Sequence, residues 1–176
     1  MKLLILGDLH FTLKQPGSRK DDIEKAFFSK LNQICLLVKM LEVDVLIQPG
    51  DFFDSHRAND LTKSKIITFL IDNFPISEAE IFTLYGQHDL RYHRSDILNT
   101  PLNVLNSTGY IQILNNEPLE YDDGHNRICF YGASWFEDIP EPRDKNTFNI
   151  LVLHKMVVDE KIWEGQEDHV FHNILL

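Results

Sequence analysis

The chain has 176 residues, a hydrophobic share of 43% and a formal net charge of −10. This length and composition can bury a sizeable core, so we expect one globular domain, and no apolar run approaches the length of a membrane span. The acidic balance argues against a broad basic face for nucleic acid, although divalent cations held by carboxylates would reverse the charge locally.

Apolar runs that are typical of buried strands recur at four places in the chain. They cover residues 2–6, 44–48, 80–85 and 149–153, and three of them are nearly uninterrupted in aliphatic side chains. Such runs predict strands that are covered on both faces. Between residues 111 and 132 the pattern changes to shorter strands around the turn DDGHN, which predicts an antiparallel hairpin.

Two amphipathic runs between these strands predict helices. Over residues 22–41 apolar side chains recur every three or four positions, and Asp21 with Glu24 resembles a capping box. A second helix is predicted over residues 61–74 and is closed by Pro75. The inward positions of this second helix are Ile66, Ile67, Leu70 and Ile71. The fold class is therefore α/β, a layered sheet with helices outside.

The cysteines indicate a reducing environment. Cys35 lies in an apolar helical run and Cys129 in an apolar strand run, so we expect reduced thiols in the core and no disulfide framework. The N-terminal residues lack the small-residue cleavage site of a signal peptide. A cytoplasmic location, away from membranes, is therefore expected.

Acidic, histidine and amide side chains follow the predicted strands, directly after each one ends. Asp8 and His10 follow the first strand, GDFFD (residues 50–54) the second, GQHD (86–89) the third, and His154 the fourth. A single histidine is more often a surface residue, but open α/β sheets build their sites at this edge, so four such groups predict one site. Oxygen and imidazole donors without cysteine suit manganese, iron or zinc, and Asp51 could bridge two ions.

These motifs, in this order, resemble the signature of the calcineurin-like metallophosphoesterases. The family pattern is D-x-H, G-D-x-x-D, G-N-H-D, an isolated histidine and G-H-x-H, and the first four elements correspond to DLH, GDFFD, GQHD and His154. The segments DLHFTLKQPGSRKDDIEKAFFSKL and GDFFDSHRAND are more narrowly similar to nuclease subunits of the SbcD type, including bacteriophage relatives. The resemblance implies a layered fold with central β-sheets flanked by helices and a metal site at the C-terminal ends of the strands.

The resemblance also implies a role for each matched residue. Asp8 and His10 would bind a first metal ion, Asp51 would bridge, and Gln87 and His154 would bind the second ion. His88 would act near the scissile phosphate, and Asp89 would fix the His88 ring through a hydrogen bond. Asp54 would support the loop. Two divalent ions are implied, with Mn²⁺ favoured and Fe²⁺, Zn²⁺ or Mg²⁺ as alternatives.

Gln87 departs from the family pattern, in which asparagine is usual. The glutamine amide oxygen is the same kind of donor on a stem one methylene longer. We favour ligation by Gln87, because amide oxygens are acceptable hard ligands and the neighbouring His88 and Asp89 match the pattern.

The final GHxH motif does not follow His154, and three interpretations are open. In the first, the chain is a fragment of a longer nuclease and QEDHVFHNILL forms a helix leading to the missing strand. In the second, His169 and His172 replace the missing ligands from one helix face. In the third, the protein is a scaffold that has lost its metals. We favour the fragment and expect residues 1–176 to form a metallophosphoesterase domain, truncated at its C-terminus and without a capping domain.

The function implied is metal-dependent hydrolysis of phosphodiesters by a DNA exo/endonuclease catalytic domain. The alternatives are a phosphoesterase of small phosphate esters or cyclic nucleotides, with nearly the same site chemistry, and the non-catalytic scaffold. The partners implied are DNA, an SMC-like coiled-coil ATPase subunit whose docking region is absent from this length, and a second copy of the chain through the first helices.

Several side chains near the predicted site have two interpretations. The cations could contact DNA phosphates or be ordinary solvated charges; they are Lys14, Arg19, Lys20, Arg57, Arg91 and Arg94. The aromatic side chains Phe11, Tyr92 and His93 could stack on a base, but packing is the commoner role. Trp135 and Trp163 are interpreted as packing residues.

Overall fold

The computed structural model describes residues 1–74, 79–91, 99–122 and 124–158, together with the backbone of residues 169–171. Within these residues the chain forms three helices and nine strands. The helices are α1 (Ile23–Leu41), α2 (Asp60–Asn73) and α3 (Pro101–Ser107). The expected α/β class, with sheets flanked by helices, is confirmed.

The strands form two main sheets. The first sheet is parallel and has the order β1 (Leu3–Ile5), β2 (Val45–Gln48), β3 (Glu80–Thr83) and β4 (Gln112–Ile113). The second sheet contains β5 (Leu119–Asp122), β6 (Arg127–Ala133) and β7 (Phe148–Leu153). In it β5 and β6 form the predicted antiparallel hairpin, and β7 pairs with β6 in parallel.

Two apolar cores cover the two faces of the first sheet. One packs the sheet against the helices through residues such as Leu46, Ile81 and Leu102. The other joins the two sheets through residues such as Ile47 and Phe130. Because side chains alternate between the faces of a strand, a run such as VLIQ in β2 supplies both cores and is buried along its whole length.

The ends of the helices follow local hydrogen bonding. The N-cap of α1 is Asp22, whose carboxylate accepts from the Lys25 N–H at 3.0 Å, so the capping-box prediction at Asp21 is wrong by one residue. The Asp21 carboxylate instead accepts from the Arg19 guanidinium, with an Nε to Oδ1 distance of 2.7 Å. The predicted end of α2 at Pro75 lies outside the described residues.

Some apolar positions are more exposed than the periodicity predicts. Ile71 of α2 is exposed, and Phe69 takes an inward position that the periodicity did not assign. Ile5 of β1 is 66% exposed and Phe148 of β7 is 65% exposed. Both strands stand at the edge of their sheet in the described part of the chain, so the expectation of complete burial is wrong for them.

The C-terminal segment is described only in part. Residues His169–Phe171 form strand β9, which pairs in parallel with β8 (Met156–Val158). The helix expected over QEDHVFHNILL, and with it the placement of His169 on a helix face, is therefore wrong at these positions. The β-branched and aromatic side chains of HVF and MVV favour strand pairing over helix. His172 and Trp163 lie outside the described residues. Among the helices described, none is long and apolar enough to cross a membrane.

Candidate metal centre

The loops after β1 and β2 continue the parallel pairing of their strands. The His10 N–H donates to the Asp51 carbonyl at 2.9 Å, and the Phe11 N–H donates to the Phe52 carbonyl at 2.7 Å. Phe11 and Phe53 then form an isolated parallel bridge. Backbone hydrogen bonds therefore bring His10 beside Asp51, two residues that are far apart in the sequence.

The backbone at this point has left-handed conformations. His10 has φ 47° and Asp51 has φ 51°, and Gly50, which precedes Asp51 in the chain, has φ 106°. Left-handed backbone at a residue with a side chain costs about 1–3 kcal/mol and persists where surrounding contacts enforce it. At Gly50 a Cβ atom would lie 2.4 Å from His154 Nδ1, so both the conformation and the space require glycine.

A buried polar pair supports the loop that carries Asp51. The Gln48 amide donates to the Gly50 carbonyl at 2.5 Å, and its oxygen accepts from the Thr83 hydroxyl at 2.8 Å. Both side chains are almost fully buried. Sequence reasoning missed Gln48; a polar residue closing an otherwise apolar strand was the available signal.

Three imidazole rings converge on one carboxylate oxygen. Asp51 Oδ2 lies 3.8 Å from His10 Nε2, 4.0 Å from His88 Nε2 and 3.7 Å from His154 Nε2. The Asp51 side chain is only 3% exposed. The ligand atoms of His10, Asp51 and His88 all lie within 4.8 Å of one another. These separations exceed hydrogen-bonding distance but suit groups that share a cation.

Two of the rings are oriented by backbone carbonyls. His154 Nδ1 lies 2.7 Å from the Pro49 carbonyl oxygen, and His88 Nδ1 lies 3.1 Å from the Asp54 carbonyl oxygen. A carbonyl can only accept, so Nδ1 carries a proton in each ring, and Nε2 is the ring nitrogen that faces Asp51. This is the arrangement found for histidines that bind metals, and the donor set therefore fits divalent cations.

Space around Asp51 exists because Gly86 has no side chain. A Cβ atom at Gly86 would lie 2.1 Å from Asp51 Oδ1 and 2.3 Å from the Asp51 backbone nitrogen. The His88 N–H donates to Asp51 Oδ1 at 2.8 Å. One carboxylate oxygen is therefore fixed by the loop after β3, and the other faces the three rings.

Asp89 has a different partner from the one expected. Its carboxylate accepts from the N–H groups of Phe52 (3.1 Å), Phe53 (2.9 Å) and Gly86 (3.1 Å), and the His88 ring is held by the Asp54 carbonyl instead. The expected His88–Asp89 hydrogen bond is wrong, because Asp89 turns inward beneath the two loops. Burial raises the pKa of Asp89 to about 6, although the backbone N–H groups act to lower it. The Asp89 carboxylate therefore joins the loops after β2 and β3 through hydrogen bonds.

Asp8 and Gln87 line an open depression together with Asp51 and His154. The structure thus brings the five predicted metal ligands into one neighbourhood, in which His10 Nε2 lies 3.8 Å from Asp51 Oδ2. Their roles as ligands stay predictions. The wall of the depression also includes Trp135, which sequence reasoning assigned to packing.

A second, larger cavity of about 590 Å³ adjoins the loops that carry His10 and Asp54. It is lined by Thr12, Ser55 and Asn59, by the cations Lys14 and Arg57, and by the acids Glu24 and Asp54, among others. We call this cavity the groove. Its mixed polar lining contrasts with the apolar cores.

The remaining candidates have varied outcomes. Phe11 is 1% exposed and its ring packs edge-on against Phe27 and Phe28, so it is a core residue and cannot stack on a base. The Arg19 guanidinium forms an ion pair with the Asp21 carboxylate. Cys35 and Cys129 are buried free thiols, as expected. Tyr92, His93 and Arg94 lie outside the described residues.

The comparisons with known proteins concern the same residues. A sequence model of the family described as calcineurin-like phosphoesterase matches residues 1–172. No curated protein matches the chain. The matched span includes every residue around Asp51.

Proposed function

We propose, because the chain belongs to the calcineurin-like phosphoesterase family, that it is a nuclease that hydrolyses DNA phosphodiesters with two divalent cations. Membership alone gives the general class, a metal-dependent phosphoesterase. The observation that carries the proposal is the convergence of three imidazole Nε2 atoms on Asp51 Oδ2, at 3.7 to 4.0 Å. Without a bound cation, keeping these side chains together on strained loops costs free energy, and this cost supports a role in binding.

We assign the ligands to two cation sites that share Asp51. Asp8 and His10 would hold one cation, Gln87 and His154 the other, and Asp51 would be shared. Hard oxygen donors with imidazole favour Mn²⁺, with Fe²⁺, Zn²⁺ or Mg²⁺ as alternatives. Bound divalent cations withdraw charge from a phosphodiester and make hydroxide available near neutral pH.

His88 is the proposed catalytic residue. Its Nδ1 is engaged by the Asp54 carbonyl, so Nε2 is the atom that would hold the proton for the departing alkoxide. The His88 side chain is 43% exposed against 12% for His154, which leaves it more accessible to a substrate. The neighbouring His10 ring, 4.8 Å away between ring centres, packs edge-on against it and limits its rotation.

The groove supports DNA over a small ester. It adjoins the centre at Phe11 and Asp54 and presents Lys14, Arg57 and several hydroxyl and amide groups. A chain of phosphates can use such contacts away from the reacting phosphate, whereas a small ester cannot. A phosphoesterase that acts on small esters is the second candidate, because the depression lined by Asp8 is open enough to admit a small ester.

Metal stoichiometry tests the proposal directly. After manganese loading, we expect two ions per chain for the wild type, and loss of at least one ion with Asp51→Asn, because the shared carboxylate loses its charge. The loss of activity should exceed about 100-fold, since even indirect partners of metal ligands contribute 10- to 100-fold. Asp72→Asn, an exposed carboxylate on α2, is the matched control and should change neither value.

Hydrolysis of single-stranded DNA, duplex DNA and a small phosphodiester is followed on the same samples. Cleavage of DNA together with two ions supports the nuclease. Activity on the small ester alone supports the second candidate. Absence of bound ions and of turnover with every substrate would contradict both and favour a scaffold.

Substitutions in the groove separate DNA from small substrates. We expect Lys14→Ala with Arg57→Ala to weaken DNA binding and to reduce the slope of log affinity against log salt by about 0.7–0.9 for each phosphate that is no longer neutralised. Turnover of the small diester should not change. Lys145→Ala, an exposed lysine outside the groove lining, is the control. An unchanged salt slope would contradict a role of the groove in DNA binding.

A further inference from the structure

A buried amide stands at the end of β2, where the rest of the strand is aliphatic. Gln48 is 1% exposed, and its partner in register on β3 is Thr83, which is fully buried. Burial of an amide is unfavourable unless its donor and acceptor groups find partners. The Thr83 hydroxyl donates to Gln48 Oε1 at 2.8 Å, and Gln48 Nε2 donates to the Gly50 carbonyl at 2.5 Å. The amide therefore joins β3 to the turn that precedes Asp51.

The turn held by Gln48 consists of Pro49 and Gly50. The Gly50 N–H donates to the Gln48 backbone carbonyl at 3.0 Å and to Gln48 Oε1 at 3.3 Å. Because Gln48 Nε2 donates to the Gly50 carbonyl, both polar groups of the Gly50 backbone are bonded to one residue. The left-handed conformation of Gly50, with φ 106°, is therefore fixed by the Gln48 side chain as well as by the backbone.

The same turn contacts the His154 ring, which follows β7 of the second sheet. The Pro49 carbonyl oxygen lies 2.7 Å from His154 Nδ1, and a Cβ atom added at Gly50 would lie 2.4 Å from that nitrogen. The residue after the turn is Asp51, whose Oδ2 lies 3.7 Å from His154 Nε2. A shift of the turn would therefore move the Asp51 carboxylate and the surface that the His154 ring contacts.

An apolar side chain would be the ordinary choice at the position of Gln48. Val45, Leu46 and Ile47 of the same strand are buried in the two apolar cores, and such side chains carry no cost of desolvation. Fully bonded polar groups in a core instead fix one arrangement of the segments that they join. The Gln48–Thr83 pair therefore selects one conformation of the turn, which an aliphatic side chain has no hydrogen bonds to do.

We propose that the Gln48–Thr83 pair is a positioning device for the cation centre. Acting through the Pro49–Gly50 turn, it keeps Asp51 and the His154 ring at the spacing of two groups that share a cation. The inference rests on the proposed function, because that function makes Asp51 and His154 ligands. Gln48 and Thr83 are positioning residues, since they act on the centre only through the turn. A pair that served the fold alone would lower stability when broken and leave cation affinity unchanged.

Two substitutions at Thr83 test the proposal with little change in the shape of the core. Thr83→Val removes the hydroxyl, and Thr83→Ser keeps it. Manganese binding is measured by calorimetry on the folded proteins. We expect one ion to bind about 10-fold more weakly to Thr83→Val, at the low end of what indirect partners of metal ligands contribute, and Thr83→Ser to bind as the wild type does. Equal affinities of Thr83→Val and the wild type would overturn the proposal.

The His154 ring gives a readout that needs no metal. Its Nδ1 proton is held by the Pro49 carbonyl and can be assigned in NMR spectra by its loss in His154→Ala. We expect this proton to exchange with water faster in metal-free Thr83→Val than in the wild type or Thr83→Ser, because the turn that holds it opens more often. An unchanged exchange rate would overturn the proposal.

Ile128→Val is the control for a general loss of stability. Ile128 is buried between the sheets near the start of β6, whereas the carbonyl that accepts from the His154 N–H belongs to Ala133 at the end of that strand. The substitution deletes a buried methyl group and lowers the free energy of unfolding, but it leaves the turn intact. Manganese affinity and exchange of the His154 proton should match the wild type. Equal effects of Ile128→Val and Thr83→Val would overturn the proposal.

The two proposals fail in different ways. If the wild type binds two ions and cleaves DNA while Thr83→Val keeps the same cation affinity and proton exchange, the positioning role is wrong and the proposed function stands. If the wild type binds no ion, the proposed function fails, and the exchange rate of the His154 Nδ1 proton still decides whether the pair holds the ring.

Discussion

The two sheets contribute to the centre in different ways. The first sheet supplies Asp8, His10, Asp51, Gln87 and His88 from loops after three neighbouring parallel strands. Backbone pairing holds these loops in register, as the His10 N–H to Asp51 carbonyl bond shows. The second sheet supplies His154 and Trp135, whose place relative to Asp51 depends on packing between the sheets and on the bond from His154 Nδ1 to Pro49.

The half of the centre built on the first sheet is held in register by backbone hydrogen bonds. The position of the half built on the second sheet depends on the packing of the core between the two sheets. Parallel neighbours share the edge at their C-terminal ends whatever side chains they carry. The second sheet reaches that edge across an interface of close-packed side chains, where a change of one methyl group is felt. Substitutions in the two halves should therefore differ in what they damage.

Gly86→Ala should have the largest effect, because the new Cβ would lie 2.1 Å from Asp51 Oδ1 and 2.3 Å from its backbone nitrogen. We expect the free energy of unfolding to fall by about 3 kcal/mol, the upper part of the usual range for overpacking. Manganese binding should be lost as the loops move apart. Urea unfolding of the metal-free protein and metal titration measure the two effects.

Gly7→Ala is the matched control for this change. It lies beside Asp8, and a Cβ atom there would meet nothing within 4 Å. Equal effects of the two substitutions would contradict a specific role of the close approach at Gly86.

Gly132→Ala should have an intermediate effect and would disturb the interface between the sheets. A Cβ atom there would lie 2.5 Å from both Leu114 Cβ and Leu84 Cδ2. The Leu114 carbonyl carbon would lie 2.7 Å away. We expect a loss of about 2 kcal/mol in stability, since one of these three neighbouring atoms, Leu84 Cδ2, is the end of a side chain that can shift. Manganese affinity should fall while the first-sheet ligands stay in register. Equal loss of both ions would show that the two halves are not independent.

His154→Ala should have the smallest effect on folding. It removes the hydrogen bond to the Pro49 carbonyl, a loss of about 1 kcal/mol in the free energy of unfolding. Binding of one manganese ion should weaken by more than about 100-fold, while the other ion stays bound. His125→Ala, at an exposed histidine in the hairpin turn, should leave both ions in place. Retention of two ions by His154→Ala would contradict its role as a ligand.

Much of the fold could be predicted from the sequence, because periodicity reports local structure. The strands near residues 3–5, 45–48, 80–83 and 148–153 and the two long helices lie close to their predicted places. Exposure of Ile5 and Phe148 could not be predicted, since an apolar run does not reveal whether its strand has neighbours on both sides. The cap of α1 was misplaced because Asp21 and Asp22 are equally good caps until Arg19 selects one.

The residues around Asp51 were determined by the sequence itself, since ordered motifs at the ends of parallel strands must meet at one edge of a sheet. The direction of each side chain was decided only by the tertiary structure. Asp89 faces three backbone N–H groups from two loops, and Trp135 forms part of the wall of the depression. Phe52 and Phe53 lie far from Asp89 in the chain, so no local pattern encodes these partners, and packing selects among the directions that each side chain could take.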